Sequence, residues 1–151
     1  MSEKVHGALK EYLLELGTNV KNSKGKPYYR VYSGDSEPID IRLGKKHYEY
    51  LPDVVWERKG RPYIIEIALS EDWRSIVGEI TLASLAKGCA GILVITTCVW
   101  KEKELDDLMS IVGGKLGVVW WRWIILDKKQ STNVEEAKTT VKGFLRDWDM
   151  I

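Results

Sequence analysis

Residues 51–69 constrain the fold more than any other part of the chain. Two runs of strand-forming residues, Leu51-Pro52-Asp53-Val54-Val55-Trp56-Glu57 and Tyr63-Ile64-Ile65-Glu66-Ile67-Ala68-Leu69, flank the short connection Arg58-Lys59-Gly60-Arg61-Pro62. Two β-rich runs around a Gly-containing turn predict a β-hairpin. The second run is apolar at both odd and even positions, so both faces of its strand must be covered, as in the middle of a sheet. Glu66 interrupts that run, and an uncompensated carboxylate buried there costs several kcal/mol. It needs a cationic partner, a bound cation or an edge position facing water.

The rest of the chain supplies the layers around this hairpin. Residues 3–16 carry Val5, Ala8, Leu9, Tyr12, Leu13 and Leu16 at helical spacing, with Gly17 as the expected stop. Residues 19–27 have loop chemistry, 28–32 and 39–43 read as short strands, and 44–50 read as a connection. After the hairpin, 72–87 has the apolar stripe of a helix, capped by Ser70 or Asp72 and ending at Gly88. Residues 91–97 predict a buried strand, 101–112 a helix, 117–126 a strand and 134–148 an amphipathic helix. The antiparallel hairpin followed by strands reached through helical crossovers predicts an α/β fold, a mixed sheet with helices on both faces.

A chain of 151 residues, 44% hydrophobic and 30% charged, suits one globular domain spanning 1–151. No apolar run approaches the ~20 residues that cross a bilayer, so the expectation is a cytoplasmic protein without a membrane partner. Cys89 and Cys98 flank one predicted strand and stand roughly 25 Å apart if it is extended. They are expected as free thiols. The net charge of +1 lacks the footprint of a protein that coats nucleic acid. Local basic clusters remain at Lys21, Lys24 and Lys26, at Arg42, Lys45 and Lys46, and at Arg58, Lys59 and Arg61. Such clusters are more often solvated loops than phosphate contacts.

Pro52-Asp53, the hairpin, Glu66-Ile67-Ala68 and the order of the surrounding elements resemble the PD-(D/E)XK (restriction-endonuclease-like) nuclease superfamily. Its pattern is an aspartate opening one strand of a hairpin and an acid-x-lysine triplet on the next. Here the lysine position is Ala68. The resemblance implies a restriction-endonuclease-like mixed sheet and hydrolysis of phosphodiester bonds in DNA. It also implies Mg²⁺ or Mn²⁺ held by Asp53 and Glu66. The alternative is a nuclease-fold module that has lost catalysis and serves nucleic-acid binding or assembly.

Two carboxylates from neighbouring strands are the hard-oxygen set such a cation takes. With the turn centred near Gly60, Asp53 is expected opposite Ile67. Strand alternation puts residue 68 on the face of Glu66, where alanine leaves room but supplies no charge. Lys59 and Arg61 are excluded as replacements, being roughly 17 Å along the strands. Arg74, Lys45 and Lys46 are the candidate cations, for catalysis and for nucleic-acid contact. His6 and Glu15 border the apolar stripe of the first helix and Glu79 borders the next, so these three are further candidate metal ligands. Surface residues of these types are ordinary, and that reading stands beside the functional one. Among seven tryptophans, Trp121 and Trp123 fall on one face of their strand and Trp120 on the other. Core packing is one reading of these rings, and an exposed pair that stacks bases or joins two copies as a homodimer is the other.

Overall fold

The computed structural model describes residues 2–69, 72–97, 102–116 and 120–151. In chain order the elements are α1 (Ser2–Thr18), β1 (Arg30–Tyr32), β2 (Ile39–Leu43), β3 (Lys46–Tyr50), β4 (Val54–Arg58) and β5 (Arg61–Ala68). They continue with α2 (Trp73–Ser84), β6 (Gly91–Thr96), α3 (Glu102–Leu116), β7 (Trp121–Ile125), α4 (Lys128–Thr132) and α5 (Val134–Asp147). Five strands form a sheet in the order β1-β4-β5-β6-β7, and β2 with β3 forms a separate antiparallel ribbon. The pairs β1–β4 and β4–β5 are antiparallel, whereas β5–β6 and β6–β7 are parallel. The sheet is therefore mixed, because the hairpin turns back directly while β6 and β7 arrive through α2 and α3.

The β4–β5 turn is as tight as a hairpin can be. Arg58 pairs with Arg61, and the two residues between them, Lys59 and Gly60, have φ of 54° and 75°. Two consecutive positive φ values mark the turn type whose twist matches that of paired strands. The two-residue turn sets Val54 opposite Ile65. Continued by one step, this register places Asp53 against Glu66, one residue from the expected Ile67.

Both faces of the sheet are covered. On one, Leu9 and Leu13 of α1 and Ala137, Val141 and Leu145 of α5 pack on Val54, Trp56, Ile65, Ile67, Leu93, Ile95 and Ile124. On the other, Ile76, Ile80 and Ala83 of α2 cover Val55, Ile64, Ala68, Ile92 and Val94, joined by Met109 of α3. All six residues of β6 are buried, as a run apolar on both faces requires. The helices start on side-chain caps. Asp72 accepts from the Ser75 N–H at 2.9 Å, and Asn133 accepts from the Glu136 N–H at 3.1 Å. Ser70, the other expected cap, lies outside the described residues. So does Cys98; Cys89 is a free, half-buried thiol, and burial pushes its pKa up to about 11. Among the described residues no helix is long and apolar enough to cross a membrane.

Several expectations change. Residues 46–50 form a strand, since Gly44-Lys45 closes a hairpin that pairs Leu43 with Lys46 and Ile39 with Tyr50. The short helix α4 follows an unread capping box, in which Asp127 Oδ1 accepts from the Gln130 N–H and Gln130 Oε1 accepts from the Asp127 N–H. Trp121 and Trp123 do pack with the α2-side cluster, but they are not an exposed pair. Trp123 is buried and donates its indole N–H to Asp106 Oδ1 at 3.1 Å, while Trp121 is half-buried. Core packing won because the neighbouring helix α3 covers that end of β7.

Gly17 does not stop α1, which runs on to Thr18. Its role is close packing: a Cβ there would overlap the Trp56 indole, which is fully buried and donates to the Leu13 carbonyl at 3.1 Å. Gly17→Ala should therefore destabilise the fold by about 1–3 kcal/mol, the usual scale for overpacking. Gly7, in the same helix with open space at its Cβ position, should behave oppositely: Gly7→Ala should add up to about 1 kcal/mol through helix propensity. Urea denaturation of both variants checks the contrast.

Candidate functional site

Glu66 lies in the middle strand of the sheet with 4% of its surface exposed. Alternation along β5 directs it to the α2 side, with Ile64 and Ala68. Its Oε1 accepts a hydrogen bond from the Tyr50 hydroxyl at 2.7 Å and a longer one from the Asp53 N–H at 3.3 Å. Tyr50, the last residue of β3, is itself buried. The ribbon therefore leans its base against the sheet and delivers a donor where a carboxylate needs one.

Asp53 takes its place from the way β4 begins. Before Val54 the chain leaves the ladder with β5: the Pro52 carbonyl accepts from the Gly34 N–H at 2.8 Å, and proline has no N–H to give. Gly34 permits that approach, because a Cβ there would overlap the backbone of Leu51 and Pro52. The Ile67 N–H, which faces β4, would be left without a strand partner, and Asp53 Oδ2 accepts it at 2.8 Å. Each acid thus bonds the other's strand, Glu66 through the Asp53 N–H and Asp53 through the Ile67 N–H. The pair closes the open end of the hairpin.

Two further groups join this pair. His6 of α1 reaches the sheet end, with Nε2 at 3.4 Å from Asp53 Oδ1, whose side chain is 20% exposed. Glu79 of α2 is half-buried, and its charge is felt at Tyr50. The Tyr50 phenol is held far above its ordinary range, first by burial, then by the charge of Glu66 and the hydrogen bond to it, and then by Glu79 and Asp53. Asp53, Glu66 and Glu79 thus act together on one protonated tyrosine, while His6 meets the cluster through Asp53. Among the described residues, no three His, Cys, Asp or Glu side chains are grouped as a ready-made metal cage.

Three of the other candidates lie apart. Glu15 is exposed on α1, nine residues from His6 and so about 13 Å further along the helix axis. Lys45 and Lys46 are exposed at the far end of the β2–β3 ribbon, roughly 13 Å of strand from Tyr50. They fail as partners of the pair because residues 46–50 are a strand leading away from it, not a loop that can fold back. Arg74 is exposed, with its guanidinium 4.7 Å from the centre of the Trp73 ring. Nor does Ala68 leave room for a long side chain, being 0% exposed under α2. A lysine there would enter a packed core, so Ala68→Lys is expected to unfold the protein before it adds a useful charge.

Sequence reasoning missed Tyr50 and Lys10. The ribbon that carries Tyr50 was signalled by Gly44-Lys45 between two β-rich runs. Lys10 follows His6 by one helical turn and pairs with Asp35, in the turn whose Gly34 contacts Pro52. No family model, curated protein or solved structure matches this chain.

Tyr50→Phe keeps the ring and removes the donor to Glu66. It should cost about 1–3 kcal/mol in urea denaturation at neutral pH. The pH dependence has a definite sign. Unfolded tyrosine ionises near 10.0 while folded Tyr50 stays protonated, so above that pH the unfolded chain holds fewer protons and stability falls. Tyr29 and Tyr32, pushed up to about 12 chiefly by burial, act in the same direction. Stability should fall as pH rises from 10 towards 12, and Tyr50→Phe should remove about 1.4 kcal/mol per pH unit from that slope.

Proposed function

We propose that this protein is a metal-dependent nuclease acting on DNA, with Asp53 and Glu66 at its reactive centre. The observation that carries this reading is that each acid accepts a backbone N–H from beside the other, Glu66 from Asp53 and Asp53 from Ile67, at one end of a hairpin in a mixed, helix-covered sheet. The PD-(D/E)XK resemblance expects that placement. The donor chemistry fits a hard divalent cation, since Mg²⁺ commonly rests on one or two carboxylates and completes its shell with water and substrate phosphate. Asp53 and Glu66 would hold Mg²⁺ or Mn²⁺. Bound there, the ion would supply Lewis-acid polarisation of a phosphodiester and acidify a water.

The chain's own groups do the positioning. The Ile67 N–H holds Asp53 through Oδ2, which leaves Oδ1 turned towards His6. The Tyr50 hydroxyl holds Glu66. His6 brings an imidazole to Asp53 Oδ1, a side-chain type that can serve as a general base or acid. Lys10, one turn along α1, is the cation we propose in place of the absent triplet lysine. Arg74, together with Lys45 and Lys46 on the exposed ribbon, offers charge for backbone phosphates.

A second reading has its own observation. Ala68 is sealed under α2, and the triplet's third position can supply no cation, which favours a nuclease-fold module that binds nucleic acid without cleaving it.

Cleavage of supercoiled, linear and branched DNA with Mg²⁺ or Mn²⁺ separates the two. The parent protein should cleave, and Asp53→Asn or Glu66→Gln should lower the rate about a hundredfold or more, with Lys10→Ala also impaired. Millimolar Mn²⁺ should raise the melting temperature of the parent but not of Glu66→Gln. DNA binding without cleavage by the folded parent would establish the module instead. Cleavage that survives Asp53→Asn unchanged would move the active site elsewhere.

A further inference from the structure

The opposite end of the β4–β5 hairpin carries a second, chemically different constellation. Three adjoining cavities of about 650, 180 and 140 Å³ all have Arg58 in their walls. The largest falls within the size range of small-ligand clefts. The hairpin turn contributes Arg58, Lys59 and Arg61, and none of the three has a carboxylate within ion-pair distance among the described residues. The neighbouring cation Arg30 differs, being held by Glu37 at 2.7 Å and Glu57 at 2.9 Å. Glu57 and Glu37 share that one cation and Asp149 is the other carboxylate in these walls, so the three cations of the turn still outnumber the uncompensated carboxylates. The excess charge at the turn is positive.

Aromatic rings stand against that charge. Tyr28, Tyr63 and Trp120 are half-buried, so each keeps part of its surface open. They are locked by edge contacts: Tyr28 on Tyr29 at 4.8 Å and 83°, Tyr63 on Trp120 at 5.7 Å and 90°, and Trp120 on Trp148 at 6.2 Å and 86°. Arg58 already lies 4.2 Å from the centre of the Tyr28 ring, offering a planar guanidinium as one more stacking surface. Fixed rings beside unpaired guanidinium and ammonium groups suit a ligand with a flat π-system at one end and negative charge at the other.

We propose that this groove binds a nucleotide unit, with its base stacked among Tyr28, Tyr63 and Trp120 and its phosphate on Arg58, Lys59 and Arg61. The unit has two sources, a free mononucleotide or the phosphorylated end of a single strand. The site is independent of Asp53 and Glu66, which lie about five residues, or roughly 17 Å, along the same strands.

Titration calorimetry in a chelator-containing buffer tests it without any demand on the metal site. The probes are AMP, adenosine, inorganic phosphate and a 5′-phosphorylated oligonucleotide of a few residues. AMP should bind about tenfold or more tighter than either adenosine or phosphate, since only AMP engages both halves of the groove. Tyr28→Leu and Lys59→Gln should each weaken AMP about tenfold, and Asp53→Asn should leave it unchanged. Lys59 is exposed at the turn, so that variant carries the test even where Tyr28→Leu disturbs packing. An oligonucleotide that binds tighter than AMP assigns the groove to strand ends, and one that binds equally assigns it to free nucleotides. No binding of AMP at millimolar concentration, phosphate binding as tightly as AMP, or AMP affinity indifferent to Lys59→Gln would each overturn the proposal.

Discussion

A carboxylate inside the most buried hairpin strand has to be met by hydrogen-bond donors, and the surroundings of Glu66 are arranged around that need. Two of its donors come from outside its own strand: the Tyr50 hydroxyl at the base of the ribbon and the Asp53 N–H just before β4. Both depend on the chain between Gly34 and Val54 running where it does. The Gly34–Pro52 bond draws that chain close to β1, and the ribbon returns Tyr50 into the core. An unpartnered carboxylate at this depth would cost more than any single packing contact there contributes. The ribbon, otherwise exposed along most of its length, is tied to the sheet by the same requirement.

The same bonds explain why the acid pair can be both structural and chemical. Asp53 replaces a missing rung of the ladder by accepting from Ile67, and this fixes its carboxylate without using both oxygens. A carboxylate held by a backbone N–H cannot swing away as a free surface residue does. It is preorganised for whatever approaches its other oxygen. His6 does approach it, because α1 lies across the opposite face of the sheet and its first turns reach the sheet's end. At the far end of the hairpin, the two-residue turn concentrates positive charge instead. One supersecondary unit thus separates an acidic end from a basic, aromatic one.

Much of this was readable from residue order. The hairpin, the helices at 3–16, 72–87 and 134–148 and the buried strand at 91–97 rest on local periodicity and turn chemistry, which persist in the folded chain. The errors share a physical cause. Gly17 reads as a terminator by local rules, but it is glycine because Trp56, far away in sequence, fills the space of its side chain. Lys45 and Lys46 can reach the acid pair only if residues 44–50 are a loop, and pairing with β2 makes 46–50 a strand. Alternation assigned Ala68 to the face of Glu66, and that held, but alternation carries no information on how closely α2 packs over it. Trp123 likewise went to the right face, and α3 determined that the face was covered.

The sequence by itself determined an α/β chain with a central hairpin, two acids at its open end and basic residues at its turn. Those are consequences of alternation, helical spacing and the two-residue turn, all of which act over a few neighbours. Only the tertiary structure decided that Tyr50 and His6, from a ribbon and a helix on opposite faces, meet those acids, and that rings from β5, the loop before β1 and the chain before β7 gather beside the basic turn. Such meetings depend on how layers pack and where strands leave the ladder. Long-range sterics and the demand that buried polar groups find partners settle both, and neither is written in local sequence.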